Sequence, residues 1–214
     1  GDVKFKNLID DENSKNQIDG GNNTLANPGD RKIIGNFMPR YEFGANIGLN
    51  YKGFALSLML QGVGKRDVWF GGQAMFPFAG APASDAIFNP LYYNQTDYWK
   101  PISENPDDPN YMVAKNPNAK YYRLYGQVQN VQSNTRVSDK FLQDASYLRI
   151  QNITLSYIFP NTLTEKMQMK QLKLFAGVEN LATITSLPYG INPETISWSY
   201  PFYRIFSFGL NITF

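Results

Sequence analysis

The chain has 214 residues, with 20 Lys and Arg against 18 Asp and Glu, a net charge of +2, and neither Cys nor His. Without Cys there are no disulfides, thiolate nucleophiles or Cys-based zinc sites, and without His the commonest general base and metal ligand are missing. No Ser-His-Asp or Cys-His centre can be built from this chain alone, and no Lys/Arg stripe suggests a nucleic-acid partner. The length suits one domain or part of a larger one.

Aromatics are abundant, with 14 Tyr, 15 Phe and 3 Trp, which favours β structure. The densest apolar run, Phe54 to Leu60, is far short of the roughly 20 residues a membrane helix needs. Gly1-Asp2-Val3-Lys4 lacks the pattern of a signal peptide. The opening reads as the middle of a longer protein.

Five segments alternate with period 2, as strands with two unlike faces do. In the first, Tyr41 to Tyr51, Phe43, Ile47 and Leu49 share a face against Glu42, Gly44 and Asn46. The second, Phe54 to Val63, sets Leu56, Leu58 and Leu60 against Ser57 and Gln61. Only Lys52-Gly53 separates the two, which predicts a tight hairpin. The third runs from about Ser146 to Phe159, with Ile153, Leu155 and Tyr157 on one face, and Pro160 ends it. The fourth is Leu172 to Leu181. The fifth closes the chain, with Phe206, Phe208, Leu210, Ile212 and Phe214 alternating with small or polar residues.

Short connections alternate with long ones: Lys52-Gly53, then 64–145, then 160–171, then 182–205. An up-and-down meander with short turns at one end and long loops at the other is the pattern of outer-membrane barrels. The polar faces hold mostly Gly, Ser, Thr, Asn and Gln, which suits the lumen of a large barrel. The apolar faces suit lipid, and strands of about 10 residues can cross a bilayer at a tilt. The alternative is a soluble β-sandwich carbohydrate-binding module with its apolar faces buried against each other. Five strands cannot close alone, so the membrane reading makes the chain the end of a larger barrel.

Several blocks together carry a resemblance. They are Asp30-Arg31-Lys32-Ile33-Ile34-Gly35-Asn36, Tyr41-Glu42-Phe43-Gly44, Tyr51-Lys52-Gly53-Phe54 and Gln61-Gly62-Val63-Gly64-Lys65-Arg66-Asp67-Val68-Trp69, then Ala145 to Tyr157, Val178-Glu179-Asn180-Leu181 and Ser207 to Phe214. In order and spacing they resemble the C-terminal barrel region of SusC-like TonB-dependent transporters. The resemblance implies an all-β fold in which this chain supplies the last five strands of a transmembrane barrel of 22 strands. Residues 1–40 and 64–145 would be extracellular loop regions, and the plug domain would be absent from this chain. It implies the bacterial outer membrane, contact with its lipid, and nutrient uptake of glycans or peptides. The implied partners are a SusD-like surface lipoprotein, the TonB complex through the missing N-terminal part, and the remaining barrel and plug. The lipid-facing set would be Phe43, Ile47, Leu49, Leu56, Leu58, Leu60, Ile153, Leu155, Tyr157, Phe208, Leu210 and Ile212, with Phe214 as an assembly signal.

No enzyme chemistry, cofactor or metal is expected. Relatives often carry an acidic, Gly-containing calcium-loop-like stretch near the N-terminal segment. Here Asp11 to Asp19 has Lys15 where an oxygen ligand is wanted and Asn16 in place of the Gly, so a solvated loop is the expectation. Among the many aromatics of 64–145, Trp69, Phe70, Tyr92 and Tyr93 are candidates for ligand or lid contact. For any one ring, loop packing is the ordinary role. Arg123, Arg136 and Arg149 are expected in surface ion pairs.

Overall fold

The computed structural model describes residues 2–9, 17–71, 75–77, 91, 93–124, 133–188, 190–197 and 202–214. The chain divides into two compact units. One comprises Gly1–Ile34 and Trp69–Phe141, the other Gly35–Val68 and Leu142–Phe214.

The second unit is built on five long antiparallel strands. β1 (Tyr41–Tyr51) and β2 (Phe54–Gly64) form the hairpin expected at Lys52-Gly53. Both turn residues take positive φ, 46° at Lys52 and 86° at Gly53, the combination whose twist matches that of the flanking strands. Gly53 is required there, since a Cβ would collide with the Ile158 carbonyl oxygen. Two short strands follow, β3 (Asp67–Trp69) and β4 (Leu142–Asp144), which pair as a separate two-stranded sheet. β5 (Tyr147–Ile158) pairs with β2, and the rings of Phe54 and Tyr157 meet across that ladder at 4.5 Å. Pro160 stops β5, a single helical turn α1 (Asn161–Thr164) follows, and Gln168 in the left-handed region ends the connection. β6 (Gln171–Thr185) and β7 (Ile205–Thr213) complete the order β1-β2-β5-β6-β7.

Glycines on these strands accept rings from their neighbours. The Phe43 ring lies across Gly62 and the Phe175 ring across Gly209, each a directly paired cross-strand position. A bare backbone is thus covered by an aromatic face.

The expected membership of a 22-strand transmembrane barrel is corrected by this topology. Among the described residues the strands form two open sheets, and β1 and β7 each pair on one side only. Period-2 alternation is common to every two-faced sheet and carries no information on closure, which depends on pairing the edges. No described helix is long and apolar enough to cross a membrane. Of the residues expected to face lipid, Phe43, Ile47, Leu49, Leu155, Phe208, Leu210 and Ile212 are exposed, and Leu56, Leu58, Leu60, Ile153 and Tyr157 are half-buried. Phe208 is 80% exposed, so the burial of apolar faces that a sandwich would give is not seen on this sheet. Phe214 lies just past β7 and is also exposed.

The first unit is loop-rich and held by side chains. Asn134 is fully buried. It accepts from the Val3 amide at 2.7 Å and donates to Asp2 at 2.8 Å. The Asp30 carboxylate accepts from the backbone amides of Leu8, Ile9 and Asp19. Trp69, Phe76, Phe141 and Tyr121 form a chain of ring contacts, and the buried Tyr122 hydroxyl donates to the Pro77 carbonyl at 2.9 Å.

Candidate functional site

The site lies at the end of the five-stranded sheet where β2 meets β5, wholly within the second unit. Two irregularities make it. Met59 pairs with Asn152 and Leu60 with Ile150, leaving Gln151 as an extra residue in β5. On β6, Asn180 takes φ 53° beside the matching irregularity with Ile150 and Asn152. A bulge of one residue reverses the parity of a strand. Beyond it, Tyr147 and Arg149 lie on the same face as Gln61 and Val63, the polar face of β2, with Arg149 paired to Gln61 and to Thr183.

Arg149 is 5% exposed. Its guanidinium donates from Nε to Thr183 Oγ1 at 3.1 Å, from Nη1 to Glu194 Oε2 at 2.7 Å and from Nη2 to Asn192 Oδ1 at 2.9 Å. The same group lies over the rings of Phe202 and Tyr147, at 4.9 and 5.5 Å. Burial of this charge is thereby offset by an anion, two neutral acceptors and two aromatic faces.

Arg66 stands on the loop after β2. Its Nε donates to the Phe37 carbonyl at 3.2 Å and Nη1 to the Pro193 carbonyl at 3.3 Å, with the guanidinium over the Phe37 ring. The 35–40 segment is itself fastened to β3, since Asn36 and Asp67 exchange hydrogen bonds, one of them through the Asp67 carboxylate.

Between these groups opens a cleft of about 710 Å³, lined by Glu42, Phe43, Gln61, Arg66, Tyr147 and Glu194 among others, with Gly44 and Gly62 also on its wall. Burial pushes the Tyr147 phenol above its ordinary value, and the Glu194 carboxylate adds to this. Arg149, Arg66 and a hydrogen bond with Gln61 oppose the shift. At neutral pH Tyr147 is therefore an uncharged donor. Glu42, Arg66 and Glu194 line the cleft and Arg149 pairs with Glu194 behind it, so two acidic and two basic groups stand at the site.

Those of the aromatic contact candidates singled out in the sequence that are described lie elsewhere. Trp69 ends β3 half-buried, Phe70 beside it is buried, and neither lines the cleft. Tyr93, on a single 3₁₀ turn, is almost fully exposed. Tyr92 falls outside the described residues, as do residues 10–16 of the acidic stretch. Among the described residues no group of three or more acidic side chains is placed to hold a metal. Arg123 makes a 3.8 Å surface pair with Glu104. Arg149 was expected in a surface pair and is instead a buried anchor.

No family profile matches the chain. Two curated proteins of Formosa agariphila are similar to it. TonB-dependent receptor P3 is 27% identical, over 86% of this chain and 17% of the receptor. TonB-dependent receptor P39 is 25% identical, over 91% of this chain and 16% of the receptor. Among solved structures, the RagAB peptide importer in its closed-closed state superposes with a TM-score of 0.61 at 18% identity, over 86% of this chain and 18% of that one. The RagAB peptide transporter gives 0.60 at 19% identity, over 85% and 18%. These structural likenesses carry the fold alone.

The assignment to SusC-like transporters is accordingly corrected to a remote likeness to TonB-dependent receptors, in which this chain spans about a sixth of each relative. The importer function, outer-membrane location and lipid contact were implied by the resemblance to a barrel transporter and are corrected with it, since the strands among the described residues form two open sheets. The same holds for the expected partners, namely the SusD-like lipoprotein, the TonB complex and the rest of a barrel with its plug.

Proposed function

We propose that this chain is a non-catalytic binding module and that the cleft beside Tyr147 takes a carbohydrate. The observation that carries the reading is the composition of the cleft wall. The buried Tyr147 presents a ring beside Glu42, Gln61, Arg66 and Glu194 around about 710 Å³ of open space, while the Phe43 ring lies across Gly62 on the other face of the sheet. A pyranose presents an apolar face of C–H groups and a rim of hydroxyls. Aromatic rings suit the first, and planar side chains with paired donors or acceptors suit the second. The volume lies within the ordinary range of small-ligand sites. Balanced charge in the cleft favours a neutral sugar over an acidic one. A binding role also agrees with the name receptor carried by the two curated relatives.

The test is calorimetric titration of the 214-residue chain with a panel of neutral oligosaccharides, acidic oligosaccharides and short peptides. Binding confined to neutral sugars, weakened about tenfold or more by Gln61→Ala through loss of hydrogen bonds to hydroxyls, is the expected result. Binding of peptides alone, or of no member of the panel, refutes the reading.

A further inference from the structure

We infer that Arg149 is the positioning residue of the cleft: it clamps the 190–197 loop onto the sheet and so fixes Glu194 as a ligand acceptor. The ligand part of this inference rests on the carbohydrate reading above, whereas the clamp does not.

Three donors of one planar group reach three different places. Thr183 belongs to β6, and Asn192 and Glu194 belong to the loop. Asn192 works twice, because its Oδ1 also accepts from the Glu194 amide at 3.1 Å. The guanidinium therefore holds both the side chain of Glu194 and, through Asn192, its backbone. Glu194 keeps a side-chain exposure of 42% while Arg149 is buried, so the carboxylate is fixed at one oxygen and still open to the cleft.

The loop needs such a fastening. Among the described residues its own backbone bonds run from Ile191 to Pro188 at 3.2 Å and from Ile196 to Asn192 at 2.9 Å, beside a bridge between Asn192 and Ser197. Ile196 stands at φ 49°, a left-handed conformation unfavourable for a β-branched residue. A loop that carries strain persists only where its surroundings over-determine it. Arg66, donating to the Pro193 carbonyl, adds a second fastening. An acceptor held in place before the ligand arrives loses little freedom on binding, which is how a positioning residue acts on affinity.

The experiment is hydrogen exchange by mass spectrometry on the full 214-residue chain and on Arg149→Met, Arg149→Lys and Glu194→Gln, with calorimetric titration of neutral oligosaccharides on the same samples. In Arg149→Met, exchange across 190–197 should rise about tenfold or more while β2 and β6 amides keep their protection. Lysine keeps the charge but cannot serve three separated acceptors in one plane, so Arg149→Lys should leave the loop deprotected. Glu194→Gln, which keeps the side-chain shape, should weaken sugar binding about tenfold with a smaller rise in exchange. Unchanged loop exchange in Arg149→Met, or full protection in Arg149→Lys, overturns the clamp. Should Arg149→Met fail to fold, Arg149→Lys and Glu194→Gln decide the matter by the same criteria. A wild-type chain that binds no sugar defeats the carbohydrate reading, while the exchange result still judges the clamp.

Discussion

Gly62 and Gly48 occupy the same hairpin, yet alanine should act on them in opposite directions. At Gly62 a Cβ would collide with the Phe43 ring and come within 2.8 Å of the Tyr147 carbonyl oxygen, a backbone atom of the adjoining strand. The ring can turn aside, but the carbonyl is held in the β2–β5 ladder. Forcing one carbon into a filled position costs about 1–3 kcal/mol, and removing a glycine from a strand returns about 0.5–1 kcal/mol. Gly62→Ala should therefore destabilise the chain by roughly 1–2 kcal/mol, or about 2–8 °C in Tm for a chain of this size. At Gly48 a Cβ meets nothing within 4 Å, so only the gain remains, about 0.5 kcal/mol. Thermal melts of the two variants, followed by the β signal in circular dichroism, make the comparison. A Phe43→Ala background should recover part of the Gly62→Ala loss, because it removes the ring and leaves the carbonyl. Equal melting temperatures for Gly62→Ala and Gly48→Ala would refute the placement of the Phe43 ring and the close approach of β5.

Two further predictions concern ionisation. Burial raises the phenols of Tyr121, Tyr122 and Tyr147 above their ordinary value of 10.0. Above pH 10 the unfolded chain has released these protons while the folded chain retains them, so stability should fall as pH rises beyond 10 and should be insensitive to these groups below it. Melting temperatures across that range should decline less in Tyr122→Phe, and a flat profile in the parent chain would refute the burial argument. At the other extreme, backbone amides, first that of Asp19, hold the Asp30 carboxyl below its ordinary value. Its contribution is present above about pH 4 and is lost as pH falls through the lowered value. Asp30→Ala should accelerate amide exchange at Leu8, Ile9 and Asp19, the three donors to that carboxylate, and unchanged exchange there would show that the contact is not formed.

The sheet was legible wherever local chemistry decides the backbone. Lys52-Gly53 between two alternating runs specifies the hairpin through positive φ at both turn residues. Pro160 ends β5 as expected, and four of the long strands lie within about a residue of where the alternation placed them, whereas β6 runs on to Thr185, past the expected end at Leu181. What the alternation could not supply was the closure of the sheet. Whether edge strands find partners is a property of the edges, and β1 and β7 carry the same period-2 pattern as the central strands.

The cleft was hidden for a more specific reason. Counted back from Ile153, Leu155 and Tyr157, strict alternation sends Gln151, Arg149 and Tyr147 to the apolar face. On that parity an arginine and a tyrosine are only a strand-end pair with no reason to meet Gln61. The extra residue at Gln151, answered on β6 by Asn180 in the left-handed region, reverses the parity. It turns both side chains to the face of Gln61, Val63 and Thr183. The signal was present in the sequence as a conflict. A strand that keeps one parity would set Arg149 on the apolar face, away from the Thr183, Asn192 and Glu194 acceptors that it now reaches. A charged residue on the apolar parity of a strand, followed two residues later by a polar one also on that parity, is thus a physical reason to infer a bulge at the second of them. Applied here, the rule places the irregularity at Gln151, brings Arg149 beside Thr183, and leaves the acidic Glu194 of the following loop as the natural counter-charge.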